Sequence, residues 1–364
     1  MSGKIKAVAN QHSSKDYSKA EIFGKSQAML VKKYHKSFPT YHPTELKKLN
    51  HLAEYLGVDA FYVKDESSRF GLNAFKGLGG SYCIGKYIGK KCGIPEEQLT
   101  YEKLKSEEVR KETEQLTFVT ATDGNHGRGI AWTAQELGIK AVVYMPNGSA
   151  EERLENIKKG YEKIPTWIMQ GYTTMALEAI AQLQKERPTH IFLQAGVGAM
   201  AGALAGFFAD YYQKAKPTIV IVEPNKADCI YRTAGADDGK IHIITGDMNT
   251  IMAGLACGEP CTVGWEMLSR YADYFVSMPD AIAAKGMRVL GNPLPGDERV
   301  ISGESGAATT GFVTELMTNE SLEYLRRTLG INEESKVLCF STEGEKNKKN
   351  YRDGGDSALR CAGI

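Results

Sequence analysis

The stretch HIFLQAGVGAMAG (190–202) runs from β-branched and apolar residues into a glycine-rich turn and then into a second apolar segment. Two other stretches have the same order, FYVKDESSRFGLNAFKG (61–77) and TFVTATDGNHGRG (117–129). A strand that passes through a turn into a helix is half of a βαβ unit. Such units predict an α/β fold with a mainly parallel sheet, in which ligands bind at the carboxyl ends of the strands.

The rest of the chain keeps this alternation of strands and helices. Further strands are predicted over 140–146, over 218–224 (TIVIVEP) and in KVLCFSTEG (336–344), which ends in a glycine turn. Helices are predicted over 75–93, 126–138, 149–159 and around 166–186. Consecutive units of this kind connect with right-handed crossovers.

Composition limits the classes of partner. The 364-residue chain has a formal net charge of +1, which gives no electrostatic reason to expect nucleic acid or anionic lipid. The seven cysteines are odd in number and contain no Cys-x-x-Cys, which favours free thiols in a reducing compartment. Cys257 and Cys261 lack a second Cys/His pair, so no metal site is predicted. The expected partner is a small molecule.

One apolar stretch, residues 191–209, has the length of a membrane span. It reads better as a strand followed by a glycine-rich helix, so no membrane association is predicted. The first twenty residues contain no apolar core of a secretory signal, and the cytoplasm is the expected location.

Lys76 lies between Phe75 and the glycine-rich start of a predicted helix. Desolvation there would favour its neutral amine, which a Schiff-base lysine requires. Taken alone, Lys76 is better explained as an ordinary exposed surface lysine.

The second loop, 122–129, contains Asp123 and Asn125 at the start of a predicted helix. Its glycines allow backbone N–H groups to converge on a carboxylate or phosphate. A plain strand–helix turn with Asp123 as helix cap explains the same residues.

The third loop carries Gly196, Val197, Gly198, Ala199 and Met200 and is predicted to hold a phosphate at the start of a helix. With Glu223 at the end of the next strand, it also imitates a dinucleotide-binding fingerprint. An NAD-dependent oxidoreductase is therefore an alternative, although it leaves the first two loops without a role.

Together the motifs NAFK, TDGNHGRG, GVGAMAG, GESGA and STEG resemble the pyridoxal phosphate (PLP) enzymes of the tryptophan synthase β-like class, fold type II. The resemblance covers about residues 41–344 in the family's order. It implies two domains, each with a mainly parallel sheet flanked by helices. Within the class, KDESSRFGLNAFK, ATDGNHGRG and IMAGLACGEP are most similar to the diaminopropionate ammonia-lyases. That family implies conversion of 2,3-diaminopropionate to pyruvate and two ammonia.

The resemblance also implies roles for individual residues. Lys76 matches the lysine that carries PLP, and Asn125 matches the partner of the PLP 3′-hydroxyl. Residues 196–200 match the phosphate loop. Ser341 matches the hydroxyl partner of the pyridine nitrogen, with Thr342 as the alternative. In the implied reaction, Lys76 or Asp123 would remove the Cα proton. From the charge of its carboxylate, we expect Asp123 to bind the substrate's β-ammonium, whereas the hydroxyl of serine would gain nothing comparable.

The sequence departs from the family near residues 159–160, where a strand, a helix and a further strand are expected. We predict a large domain over 1–115 and 165–364 and a small domain over 116–164 that lacks this segment. An acidic residue ahead of Gly160-Tyr161 is also missing, and the tail GGDSALRCAGI is unlike the family's end. The alternatives are a serine/threonine dehydratase-like lyase and a catalytically impaired PLP-binding protein. The class also implies a homodimer and amino-acid catabolism.

Overall fold

The computed structural model describes residues 4–121, 124–144 and 163–345. Within these ranges no helix is both long and apolar enough to cross a membrane. The helix predicted over 149–159 lies outside the described residues.

Nine strands are described. They are β1 (Lys6–Ala9), β2 (Glu45–Lys48), β3 (Ala60–Asp65), β4 (Thr117–Ala121), β5 (Lys140–Tyr144), β6 (His190–Gln194), β7 (Thr218–Pro224), β8 (Tyr274–Met278) and β9 (Lys336–Ser341).

The described helices alternate with these strands along most of the chain. They are α1 (Lys25–Lys36), α2 (Asn50–Leu56), α3 (Lys76–Lys91), α4 (Tyr101–Leu104), α5 (Glu107–Thr113), α6 (Asn125–Leu137), α7 (Lys163–Leu183), α8 (Ala199–Tyr212), α9 (Cys229–Ala236), α10 (Thr262–Tyr271), α11 (Asp280–Gly291), α12 (Ala308–Thr318) and α13 (Glu323–Leu329).

Seven strands form one sheet in the order β1-β8-β7-β6-β9-β3-β2. The five central strands are parallel, while β1 and β2 pair antiparallel at the two edges. The central strands are rich in β-branched and aromatic residues that are buried on both faces, as expected of a parallel sheet covered by helices. A second, parallel sheet contains β4 and β5.

The core lies on both faces of the large sheet, and successive residues of a strand point to opposite sides. In β9, Leu338 and Phe340 pack on the side of α1, α3, α7, α8 and α10. Val337 and Cys339 pack on the other side, with α2, α11 and α12. The sheet is therefore a middle layer, and its strand ends are free to form a site.

The sequence-based prediction of a mainly parallel α/β fold with helices on the sheet faces is confirmed. The predicted strand over 218–224 matches β7 residue for residue, and the long helix predicted near 166–186 begins earlier, at Lys163. The division into a large and a small domain stays a prediction.

Candidate active site

The ends of three neighbouring parallel strands meet at one edge of the large sheet. The strands β6, β9 and β3 are adjacent, so the segments that follow them emerge side by side. The glycine loop follows β6, the turn 341–344 ends β9, and the segment that leads to Lys76 follows β3. Three stretches that are far apart in the sequence are thereby brought together.

The segment ahead of Lys76 is bound to the turn after β9. The Phe75 N–H donates to the Thr342 carbonyl at 3.1 Å, and the Gly344 N–H donates to the Asn73 carbonyl at 3.1 Å. Between them, Ala74 and Glu343 form an antiparallel bridge. The half-buried Lys76 follows directly as the first residue of α3. Its backbone position is therefore fixed by the end of β9.

The helix α6 lies against the same lysine. A Cβ placed on Gly129 would come within 3.0 Å of the Gly77 Cα and 3.1 Å of the Lys76 carbonyl oxygen. Glycine at position 129 is thus needed for the close approach of α6 to α3. This approach carries Asn125, the first residue of α6, to the lysine segment.

His126, the next residue of α6, is influenced by Lys76. Burial and then the charge of Lys76 lower the pKa of His126 to about 4. The imidazole is consequently neutral at pH 7 and adds no positive charge beside the lysine.

Asn125 contacts the turn after β9 through its side chain. Its Nδ2 donates to Oε2 of Glu343 at 2.7 Å, and the two residues are 9% and 3% exposed. The asparagine loop, the lysine segment and the end of β9 are therefore in mutual contact.

The glycine loop opens α8 with backbone N–H groups that have no acceptor inside the helix. Gly198 has a φ of +83°, a left-handed conformation that favours glycine, and a Cβ there would also meet Ile230 Cδ1 at 2.8 Å. Val197 is 40% exposed, whereas Met200 is buried in the core. The loop can therefore hold an anion through its backbone, as the start of a helix commonly does.

Two buried hydroxyls end β9. The Ser341 hydroxyl donates to Ser302 Oγ at 2.8 Å, and Ser302 in turn donates to the Gly303 carbonyl. The Thr342 hydroxyl accepts from Nε2 of the buried Gln194 at 3.0 Å. Either hydroxyl is placed to contact a group seated at the strand ends.

A buried ionic network supports the turn between β3 and Lys76. The Arg69 guanidinium donates to Glu66 Oε2 at 2.8 Å and to Glu178 Oε2 at 2.7 Å. The Lys64 ammonium donates to the same Glu178 oxygen at 2.9 Å. All four side chains are at most 1% exposed. These ion pairs connect the turn to α7, which contains Glu178.

The structure thus brings together Lys76, Asn125, the loop 196–200 and the hydroxyls of Ser341 and Thr342. Asp123 lies outside the described residues. Sequence reasoning did not single out Gln194, Glu343 or His126 as site residues. All three stand inside glycine-bearing motifs of the sequence, but only the fold gives their contact partners.

The donor set suits PLP. A lysine at a helix start can carry the aldehyde, and the start of α8 can hold the phosphate. Asn125 and Ser341 can meet the two polar atoms of the ring. Gly196 and Gly198 keep side chains out of the loop that would surround the phosphate.

Comparisons with known proteins agree with this fit. The profile of the family "Pyridoxal-phosphate dependent enzyme" matches residues 38–160 and 159–323. Diaminopropionate ammonia-lyase of Salmonella typhimurium is 45% identical over 361 residues, with 88% of this chain and 89% of the relative covered. Diaminopropionate ammonia-lyase of Escherichia coli is also 45% identical, with coverage of 91% and 92%.

Solved structures also show similarity to diaminopropionate ammonia-lyase. The crystal structure of the Escherichia coli enzyme in complex with an aminoacrylate-PLP azomethine reaction intermediate has a TM-score of 0.85 and 42% identity, and 97% of each chain is covered. Threonine deaminase isoform 2 of Solanum lycopersicum, at 17% identity and a TM-score of 0.69, shows likeness of fold alone.

The alignment to the Salmonella relative spans 361 positions, but it includes only 88% of the 364 residues of this chain. The other aligned positions are residues of the relative that have no counterpart in this chain. The predicted fold class, family and PLP cofactor are confirmed, and PLP takes precedence over the NAD alternative. By its sequence and its fold, the chain belongs to the pyridoxal-phosphate-dependent enzymes of fold type II and, within them, to the diaminopropionate ammonia-lyase family.

Proposed function

We propose that Lys76 carries PLP and that the surrounding residues direct the α,β-elimination of 2,3-diaminopropionate to pyruvate and two ammonia. The observation that carries this assignment is the convergence of Lys76, Asn125 and the glycine loop at one edge of the sheet. Together with the hydroxyls of Ser341 and Thr342 at the end of β9, this set contains a group for each reactive or polar part of the cofactor.

Bound PLP supplies the electron sink that stabilises negative charge at the substrate Cα. Lys76 would anchor the cofactor and would hold the proton taken from the substrate Cα. A lysine does this best as the neutral amine. Because the pKa of His126 is lowered to about 4, its imidazole is a weak base and does not compete with Lys76 for this proton.

The remaining residues orient the ring. The start of α8 holds the phosphate, and Asn125 binds the 3′-oxygen. Ser341 is the proposed partner of the pyridine nitrogen. Its present acceptor is the Ser302 hydroxyl, which can reverse its direction and release the Ser341 proton. Thr342 is the alternative partner of the pyridine nitrogen, because its hydroxyl accepts from Gln194 and still has its own proton to donate.

Asp123 is proposed to face the substrate's β-ammonium. A carboxylate there binds the cation by a charge-assisted hydrogen bond. The leaving group departs as ammonia, so a nearby group that controls its proton favours the elimination. A serine or threonine dehydratase is the second enzyme considered, but the threonine dehydratases that match are only 23–25% identical over about half of the chain or less.

Borohydride reduction of the PLP-loaded protein, followed by peptide mapping, tests the assignment of Lys76. We expect the pyridoxyl group on the peptide that contains Lys76, and we expect Lys76→Arg to abolish the label. Lys90→Arg, at an exposed position on the same helix, is the matched control and should leave the label unchanged. A pyridoxyl group on another lysine would overturn the assignment.

The family likeness also leads us to propose a cytoplasmic homodimer that acts in amino-acid catabolism. Light scattering coupled to size-exclusion chromatography should give a particle of twice the 39.9 kDa chain mass. A monomer at working concentration would contradict the dimer.

A further inference from the structure

We propose that Glu343 is a positioning residue that fixes the side-chain amide of Asn125 toward the cofactor's 3′-oxygen. The inference rests on the proposed function, because it takes the PLP ring to lie beside Asn125. It gives a role to a buried acid that the elimination itself does not use.

The contact is short and shielded from water. Asn125 Nδ2 donates to Glu343 Oε2 at 2.7 Å between residues that are 9% and 3% exposed. A hydrogen bond to a carboxylate is about twice as strong as one between neutral groups. It is therefore strong enough to choose the orientation of the amide.

Glu343 is itself held from two sides. Its backbone bridges Ala74, two residues before Lys76. On the other side, the Gly303 N–H donates to the Glu343 carbonyl at 2.9 Å, and a Cβ on Gly303 would lie 3.2 Å from Glu343 Cγ and Oε1. Gly303 has no Cβ, which leaves space for the Glu343 side chain beside it. One residue thus connects the lysine segment with the asparagine loop.

The consequence follows from the chemistry of an amide. Asparagine has an NH₂ end that donates and an oxygen end that accepts, whereas a carboxylate only accepts. Glu343 therefore requires the NH₂ end on its own side, and the second N–H of that group is left for the 3′-oxygen. A rotated amide would place oxygen against oxygen at the cofactor.

A double-mutant cycle on PLP binding tests this role. The variants are Glu343→Ala, Asn125→Ala and the double variant, and the readouts are the PLP dissociation constant of the apoprotein and the circular dichroism of the cofactor band. We expect Glu343→Ala to raise the dissociation constant by about tenfold and to weaken the dichroism, because the lost bond is to a charged group. In the Asn125→Ala background, the same substitution should change little.

Two further variants separate positioning from general support. Glu343→Gln restores an acceptor for Asn125, so its dissociation constant should lie between those of wild type and Glu343→Ala. Glu345→Gln, two residues along the same segment, should match wild type, since Asn73 donates to the backbone carbonyl of Glu345, which the substitution keeps. If Glu343→Ala fails to fold, the cycle is run with Glu343→Met, which fills similar volume and also removes the acceptor.

Additive effects of the two substitutions, or wild-type dichroism in Glu343→Ala, would overturn the role of Glu343 while leaving the proposed function intact. A wild-type protein that takes up no PLP would instead overturn the proposed function, and this inference with it.

Discussion

At the scale of the residue, the site depends on pairs that are distant in the chain. Asn125 and Glu343 are 218 residues apart and meet at 2.7 Å, and Gln194 and Thr342 are 148 apart and meet at 3.0 Å. Each pair is buried, where a hydrogen bond is expensive to lose. Single substitutions at these pairs should therefore disturb the geometry of the cofactor site and also lower the stability of the fold.

Asp123 is predicted to determine the choice of substrate. Asp123→Asn keeps a helix-capping side chain but removes charge and basicity. We expect the variant to bind PLP normally and to lose activity with one enantiomer of diaminopropionate by ~10²-fold or more, since a general base contributes about that factor. Pyruvate formation measured separately with each enantiomer checks this. Wild-type turnover of both would reduce Asp123 to a helix cap.

Ser341, at the end of β9, and Thr342, which follows it, are the two candidate partners of the pyridine nitrogen. If Ser341 contacts the pyridine nitrogen, Ser341→Ala should shift the absorption of the bound cofactor and weaken its binding by about tenfold. Thr342→Val should have the smaller effect on the spectrum. Absorbance titrations of both variants identify the residue that contacts the pyridine nitrogen. A larger spectral effect of Thr342→Val than of Ser341→Ala would assign that contact to Thr342.

At the scale of the element, the crossing of α3 and α6 sets the geometry of the site. The two helices meet at Gly77 and Gly129 with backbone almost touching backbone. Backbone atoms cannot rotate away as side chains can, so even a methyl group there must separate the helices.

Gly129→Ala should therefore weaken PLP binding and lower stability by about 1–3 kcal/mol, the usual cost of overpacking. The control is Gly235→Ala in α9, where the new methyl would lie 3.6 Å from Val8 Cγ1 in ordinary contact. It should be neutral or slightly stabilising, because alanine favours a helix. Thermal melts and PLP titrations check both variants, and equal behaviour would show that the crossing is not tight.

The sequence predicts the individual strands and helices better than it predicts which of them are neighbours. Strands such as TIVIVEP are identified by their composition, and glycine turns mark where helices begin. The neighbours of each strand could not be predicted in this way, since β9 lies between β3 and β6 although more than 140 residues separate it from either. Glu178, in α7, gave no sign of its contact with Arg69 for the same reason.

At the scale of the whole molecule, stability should depend on pH through a buried ionic network. The network contains Lys64, Glu66, Arg69 and Glu178. Burial opposes ionisation of Glu178, but the Arg69 guanidinium and then the Lys64 ammonium outweigh it and lower its pKa to about 2. The folded pKa lies below the ordinary value of 4.5. Ionised Glu178 therefore stabilises the fold above that value, and this contribution is lost as the pH falls toward 2.

Glu178→Gln should lower the free energy of unfolding at pH 7 by about 3–5 kcal/mol, because it leaves two buried cations with one carboxylate. Stability should also depend less on pH between 4.5 and 2 than in wild type. Glu323→Gln removes an exposed pair with Arg327 and should cost at most about 0.5 kcal/mol. Urea unfolding across this pH range measures both. A pH dependence equal to that of wild type would contradict the lowered pKa.

Pyruvate formation tests most directly whether this protein is a PLP-dependent lyase. Purified protein loaded with PLP is given diaminopropionate, and pyruvate is followed by coupled oxidation of NADH. We expect steady pyruvate release from the wild-type protein and none from Lys76→Ala. A wild-type protein that binds PLP but releases no pyruvate would contradict this expectation and indicate a catalytically impaired PLP-binding protein.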